Sequence, residues 1–534
     1  MPPLADAQGG TLLEALNEAR LGKFHLRAAL TTGMGFFTDA YDLFIIGAAL
    51  VILKGQWHLT PTEVSLLGSS ALIAAFVGAF VFGRIADLFG RKRVYGLEAA
   101  IMVVGAIASA LAPGIVWLIA FRFVLGVGIG GDYPVSAVLM SEYSNTRDRG
   151  KLVGLVFSMQ ALGLIVGPLV GIALVGAHVA PAVTWRLMLG LGALPAAAVI
   201  WFRRRLPESP RYQAQVEGEA GRAAVQLAAY SGGSVRVDGR PVAGPDLAPV
   251  AGRVAGPDLA PDLAPVAGPD LAPAPGPVPV GTRAATTRPG RLSLRAFLTN
   301  RRYLLTLVGT AGTWFLFDYA YYGNSISTPV ILRMVAPHAS LLTTLEWTLL
   351  IFAVAALPGY LLATATMDRI GHRRLQLIGF AVMAGAFLAI GLVPGVAVAA
   401  VPFLAVYAVS YFFSEFGPNT TTFVMSAELF PVSIRTTAHG LSAGTAKVGA
   451  FIGVFIFPLL TASFGLRGTL TVTAGFAVAG FLLTLVLPEP ARRSLEEVSA
   501  GDQALAAAPG RGRPGRGRGA PGRRVVARPE CVAS

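Results

Sequence analysis

The sequence predicts an all-α, polytopic membrane protein, with twelve transmembrane helices in two six-helix bundles related by a pseudo-twofold axis. Three observations carry that expectation. The 534-residue chain is 54% hydrophobic and only 13% charged, with a mean hydropathy of +0.63, whereas soluble domains are about 25% charged. Its apolar runs are each about 20 residues long, enough to cross a bilayer core as a helix. Motifs of the first half return in the second at a near-constant offset, the mark of an internal repeat.

Six apolar spans, near 28–53, 64–84, 93–112, 115–140, 152–178 and 186–203, precede a long polar gap. Six more follow it, near 302–331, 343–366, 375–393, 397–424, 438–463 and 467–487. They are continuous and Gly-rich, without the alternation of an outer-membrane strand, so helices are expected and not a barrel. The chain divides into an N-terminal segment 1–27, a first bundle 28–206, a linker 207–298, a second bundle 299–490 and a tail 491–534. The linker repeats PDLAP from 245, 257, 261 and 269 in a background of Ala, Gly, Pro and Val that cannot build a core, and is expected to be flexible and extended. The tail, with GRGRPGRGRG, is expected to be disordered.

The N-terminal segment has no apolar core of signal-peptide type and reads as a retained cytoplasmic segment. With that end inside, the inner loops carry eleven basic residues, among them Arg84, Lys92, Arg93, Lys151, Arg369 and Arg374, against Lys54, Arg333 and Arg467 outside. The bias places both termini in the cytoplasm. The net charge of +14 is spread over such loops and the tail, with no basic face of interleaved aromatics, so nucleic acid is not the expected partner. Cys531 is the only cysteine, which excludes a disulfide framework and a Cys-based metal site. No nucleophile with a base, metal cluster or phosphate-binding Gly loop stands out, so neither an enzyme nor a cofactor is expected.

The run TWFLFDYAYY, from Thr313 to Tyr322, sets Trp314, Asp318 and Tyr322 on one helix face at steps of four. An ionisable group at membrane depth costs about 2.5 to 3.5 kcal/mol and faces a partner or a cavity. In GMGFFTDAYDLFII, Asp39 and Asp42 share a face, and two close carboxylates in low dielectric do not both ionise easily, as a proton carrier requires. The fourth span, FRFVLGVGIGGDYPVSAVLMSEY, carries Arg122 and Asp132, each expected to pair with another helix, and Tyr133, a neutral donor suited to an anion. Its Gly126, Gly128, Gly130 and Gly131 allow close backbone approach. Gln160, Asn419 and Lys447 complete the polar set. Tyr133 and Asn419 are 286 apart and Gln160 and Lys447 are 287 apart, so they face one central site from opposite bundles.

GRIADLFGRKR, with Gly83, Asp87, Gly90 and Arg91, recurs 281 residues later as MDRIGHRR, with Asp368, Gly371 and Arg373 and with Thr364 in place of the first Gly. Glu142 with Arg149 recurs as Glu428 with Arg435. These are expected to form a conformational latch at the inner helix ends, each pair weak where water reaches it.

Taken together, GMGFFTDAYDLFII, GRIADLFGRKR, GGDYPVSAVLMSEY, TWFLFDYAYYGNS, FGPNTTTFVMSAELFP and IRTTAHGLSAGTAKVGA resemble the signature segments of the phosphate:proton symporter family of the major facilitator superfamily. The resemblance covers all twelve spans and excludes the linker and both termini. It implies a plasma-membrane carrier, functional as a monomer in the lipid bilayer, that takes inorganic phosphate in with protons. It implies phosphate contact by Tyr133, Gln160, Trp314, Asp318, Tyr322, Asn419 and Lys447. Asp39, Asp42, Asp132 and Arg122, with Asp318, would lie on the proton route. PESPRY and PEPARRSLEE also resemble sugar and organic-solute porters of the same superfamily, and a phosphate-sensing transceptor is a further alternative. A sugar site would need no central lysine.

Overall fold

Backbone N–H and C=O groups that water cannot reach have to be paired within their own segment, and this chain meets that demand with helices. The computed structural model describes residues 16–19, 21–219, 223, 236–237, 240–241, 292–495 and 497. The PDLAP repeats, the GRGRPGRGRG run and residues 1–15 lie outside the described residues.

The first half runs α1 (Lys23–Trp57), α2 (Pro61–Phe89), α3 (Arg91–Ala110), α4 (Ile115–Tyr143), α5 (Arg149–Gly176) and α6 (Pro181–Arg203). The second runs α7 (Arg301–Val335), α8 (Leu341–Ile370), α9 (His372–Leu392), α10 (Ala400–Glu428) and a 50-residue element that breaks at Gly465, φ 65°, into α11 (435–464) and α12 (466–484). Ten described helices are long and apolar enough to cross a membrane; the break adds one, and α7, the helix of TWFLFDYAYY, makes twelve. Among the described residues the one β pairing is Arg236–Val237 with Arg240–Pro241.

Local signals set the helix ends. Thr60 accepts from the Glu63 amide while the Glu63 carboxylate accepts from the Thr60 amide at 2.8 Å, and Pro61 follows, so α2 starts there. Asn300 and Ser340 cap α7 and α8. At the other end of α2 and of α8 stand Gly90 and Gly371, at φ 98° and 101°, a conformation that only glycine enters without strain. Each turn is closed by a carboxylate. Glu208 accepts from the Arg91 and Lys92 amides at 3.2 and 3.0 Å, and Glu489 accepts from those of His372 and Arg373 at 3.0 Å each.

Residues 207–217 were expected to belong to the linker, but they fold back as a cap on the first bundle. Arg211 donates to the carbonyls of Glu142 and Ser144 at 2.7 and 3.0 Å, and to Asn17 at 2.6 Å. These bonds satisfy carbonyls that the end of α4 leaves open, which composition alone does not show. Asn145 donates to the Ala19 carbonyl and Arg149 to that of Arg493, so the described parts beside both termini meet one face of the molecule. That face carries Arg91 and His372 and is called the basic end below.

Small residues let the helices close up. A Cβ at Gly126 or Gly130 of α4 would collide with the α2 backbone at Ala71 or Ala75. Across the halves, Gly83 of α2 and Gly440 of α11 pack backbone to backbone near the basic end. Gly440→Val is expected to hold α2 and α11 apart: disulfide cross-linking of cysteine pairs placed on the two helices should fall at least fivefold, about 1 kcal/mol, while the extracted protein level stays near wild type. Unchanged cross-linking would refute the packing role.

Candidate functional site

The central polar cluster draws three side chains from one helix and one from each of four others. From α7 come Trp314, Asp318 and Tyr322, from α11 Lys447, from α4 Tyr133, from α5 Gln160 and from α10 Asn419; none is more than 2% exposed. The structure therefore brings together all seven residues expected to share one site. The Lys447 ammonium donates to Asp318 at 2.9 Å and to the Tyr322 hydroxyl at 3.0 Å. It also lies 4.5 Å over the Tyr133 ring and 4.2 Å over that of Tyr322, close enough for the rings to share in holding the charge. Gln160 donates to the Tyr133 hydroxyl at 3.0 Å, which stands 3.3 Å from that of Tyr322.

Two members of the network were not anticipated. Tyr360 of α8 donates to Gln160 at 3.0 Å and accepts from Asn419 at 2.8 Å; Glu415 of α10 accepts from Asn419. Both are fully buried. Glu415 carried a signal, since a carboxyl in an apolar helix asks for a role; Tyr360 carried none, one tyrosine among thirteen. The π-turn Glu415–Asn419, with Pro418 and a non-helical Gly417, sets the carboxylate and the amide side by side.

Aromatic rings close the cluster on both sides. Towards the basic end Phe36, Phe157 and Phe423 pack together, Phe157 and Phe423 stacked at 4.3 Å and Phe36 edge-on to each. Towards the other end Phe44 stacks on Tyr322 at 5.6 Å and meets Tyr321 and Phe352 edge-on.

A second cluster lies wholly in the first bundle. Asp132 accepts from Arg203 at 2.7 Å and from Ser136, and Arg203 donates at 2.7 Å to Glu98. The expectation that Asp132 pairs with another helix is met, by a residue that WFRRRLPES offers as one of three loop arginines. Only the packing shows that Arg203 turns inward, at 2% exposure. Arg122 donates to the Asp42 main-chain carbonyl at 2.9 Å. All four carboxyl oxygens of Asp39 and Asp42 are buried without a hydrogen bond.

At the basic end the latch residues meet with partners other than those the spacing suggested. Glu142 takes Arg91 at 3.0 Å and Arg435 at 3.6 Å, and Glu428 takes Arg149 at 3.0 Å. The pairs Glu142 with Arg149 and Glu428 with Arg435 are thus exchanged between the halves. Asp87 lies 3.2 Å from Arg91 and accepts from the Thr436 and Thr437 amides across the interface. Asp368 accepts from the Lys151 amide at 2.7 Å. Arg373 is not the second latch cation: it donates to the Leu485 carbonyl, while His372 stands 3.6 Å from both Asp368 and Glu428. The physical reason is register, for His372 follows Gly371 as Arg91 follows Gly90. The side chains of Asp87, Arg91, Glu142, Arg149, His372, Glu428 and Arg435 are at most 1% exposed and that of Asp368 15%, so the expected weakness of solvated pairs does not apply to them. Among the described residues no group of His, Asp and Glu could hold a metal.

The chain has relatives among known proteins. The profile of the family described as sugar (and other) transporter matches residues 28–239 and 287–501. The chain is 33% identical to probable inorganic phosphate transporter 1-6 of Arabidopsis thaliana, over 93% of this chain and 97% of that one. It is 32% identical to inorganic phosphate transporter PHO84 of Saccharomyces cerevisiae, over 91% and 86%. Among solved structures, the MFS proton:xylose symporter XylE superposes with a TM-score of 0.68 at 19% identity, covering 89% of this chain and 98% of that one; it shares the fold.

Removing one partner of a buried ion pair costs about 3 to 5 kcal/mol. Glu428→Ala should therefore lower the melting temperature in detergent by several degrees, about 2 to 4 °C per kcal/mol at most. The exchange Arg149→Glu with Glu428→Arg should recover more than half of that loss. An exchange no better than the single variant would disprove the cross-half pair.

Proposed function

The chain belongs to the sugar (and other) transporter family and, within it, to the inorganic phosphate transporters, and from that premise we propose that it carries phosphate across a membrane with protons by alternating access. The basic end is the cytoplasmic one, by the bias of Lys and Arg in its loops, the membrane is the plasma membrane, and one copy suffices, since each half supplies part of the site.

The observation that carries this reading is the Lys447–Asp318 pair, 2.9 Å apart beside two tyrosine hydroxyls. A neutral sugar gives such a pair nothing to do. Phosphate does, because it needs one compensating cation and several donors: Lys447 supplies the charge, the Tyr133 and Tyr322 hydroxyls, the Trp314 indole and the Gln160 amide the hydrogen bonds. Phosphate competes with Asp318 for Lys447. Once displaced, an ionised Asp318 would repel the anion, whereas a protonated one donates to it. Substrate and proton thus favour each other's binding at one carboxyl, and the coupling is reciprocal.

When the proton leaves towards the cytoplasm, repulsion returns and phosphate follows it, and Lys447 closes again on Asp318. The paired state then serves as the empty carrier's resting form, with no lone charge to carry across. Asp39, Asp42 and Asp132 with Arg122 form the proton route of the first bundle, where the Asp39 and Asp42 carboxyls lack hydrogen-bond partners and Asp132 is held by Arg203. Opening inward requires the exchanged pairs of the latch and the Phe36, Phe157 and Phe423 plug to part. Opening outward requires Phe44 to leave Tyr322.

The test is radiolabelled phosphate uptake into proteoliposomes with and without an inward-directed proton gradient, with glucose as competitor. Uptake should be gradient-driven and indifferent to glucose. Asp318→Asn, which keeps a neutral donor, should bind and exchange phosphate yet fail to accumulate it, and Lys447→Met should weaken binding about 100-fold, since truncating one member of a buried charge pair costs about 2 to 5 kcal/mol. Full gradient-driven accumulation by Asp318→Asn would refute the coupling role.

A further inference from the structure

The hydrogen-bond valences around Asn419 bear on which tetrahedral anion the site accepts, an inference that rests on the phosphate reading above. A side-chain amide has two N–H hydrogens and one carbonyl oxygen. Both hydrogens of Asn419 are engaged, one on the Tyr360 hydroxyl at 2.8 Å and one on Glu415 Oε2. Tyr360 cannot reverse its bond, because its own proton goes to Gln160 Oε1 at 3.0 Å. Glu415 is fully buried. What Asn419 has left to offer a ligand is its carbonyl oxygen, an acceptor.

We propose that Glu415 is a positioning residue for substrate specificity: with Tyr360 it holds both N–H hydrogens of Asn419, so the site admits a tetrahedral oxyanion that brings its own proton and refuses one that does not. Phosphate, as monoanion or dianion, carries at least one P–OH that can donate to the Asn419 carbonyl. Sulfate is fully deprotonated at neutral pH and would set oxygen against oxygen in a dry site, leaving two buried acceptors unpaired. Lys447, a donor only, cannot make this distinction, and the Tyr133 and Tyr322 hydroxyls already accept from Gln160 and Lys447. Arsenate, which has the same protons as phosphate, passes the same filter. Neither Glu415 nor Tyr360 needs to touch the anion to set it.

The experiment measures competition by sulfate and by arsenate against radiolabelled phosphate uptake by the full chain in proteoliposomes. In the wild type arsenate should compete and sulfate barely. Glu415→Ala frees an Asn419 N–H to donate, so the sulfate inhibition constant relative to the phosphate KM should fall about tenfold or more, the effect of about 1.4 kcal/mol, while that of arsenate stays put. Tyr360→Phe should move sulfate in the same direction and keeps the test open should the alanine variant fail to fold. Glu415→Gln, whose amide oxygen still accepts from Asn419, should keep the wild-type ratio. Unchanged sulfate discrimination in the alanine or phenylalanine variant overturns the proposal, as does an equal shift for arsenate and sulfate, which would mean a general loosening. Absence of phosphate uptake by the wild type would instead overturn the transport reading beneath it.

Discussion

In a low-dielectric slab a charge without a counter-charge is too costly to keep, and several charges that this chain buries have partners on the opposite half. Arg149 has Glu428, Arg435 has Glu142, and Asp87 has the amides of Thr436 and Thr437, each on the opposite half. The closed basic end is therefore a condition of charge satisfaction, not only of apolar packing. Its parting becomes tolerable when water enters between the halves and takes over the hydrogen bonds. Desolvation makes each pair expensive to break while dry.

The same constraint shapes the centre. Lys447 and Asp318 lie within one half, so their pairing does not depend on closure and can persist through a return crossing. Tyr133 and Gln160 come from the other half and reach the pair through hydroxyl and amide groups. At the centre the ion pair thus belongs to the second bundle, and the groups of the first that reach it are a hydroxyl and an amide. The Phe36, Phe157 and Phe423 rings keep water from the pair on the side of the basic end, and Phe44 on the other.

Repetition does not make the halves equivalent. Gly90 and Gly371 make the same turn, and Glu208 and Glu489 cap it in the same way. Yet the residue that follows the turn is Arg91 in one half and His372 in the other, and Tyr133 of α4 is matched by Asn419 of α10 within a π-turn that α4 lacks. The repeat conserves the frame that spaces the helices, and the departures from it fall where the two halves do different chemistry.

Much of this was legible in the residues themselves. Span length and hydropathy determined the helices, because a backbone in hydrocarbon has few other options. The repeat offsets pointed to two bundles and set Tyr133 and Gln160 opposite Asn419 and Lys447, because side chains at matching repeat positions face a shared axis; steps of four put Trp314, Asp318 and Tyr322 on one helix face, and the family resemblance joined the seven. What the sequence could not decide is who pairs with whom. Glu142 and Arg149 are close in sequence yet prefer partners hundreds of residues away, Arg203 leaves a loop-like cluster to reach Asp132, and His372 and not Arg373 enters the latch. Tyr360 and Glu415 joined the site only when α8 and α10 were laid against α5. Partner choice follows from distances of about 3 Å, whereas a sequence pattern fixes no more than the face of a helix, and only packing converts one into the other.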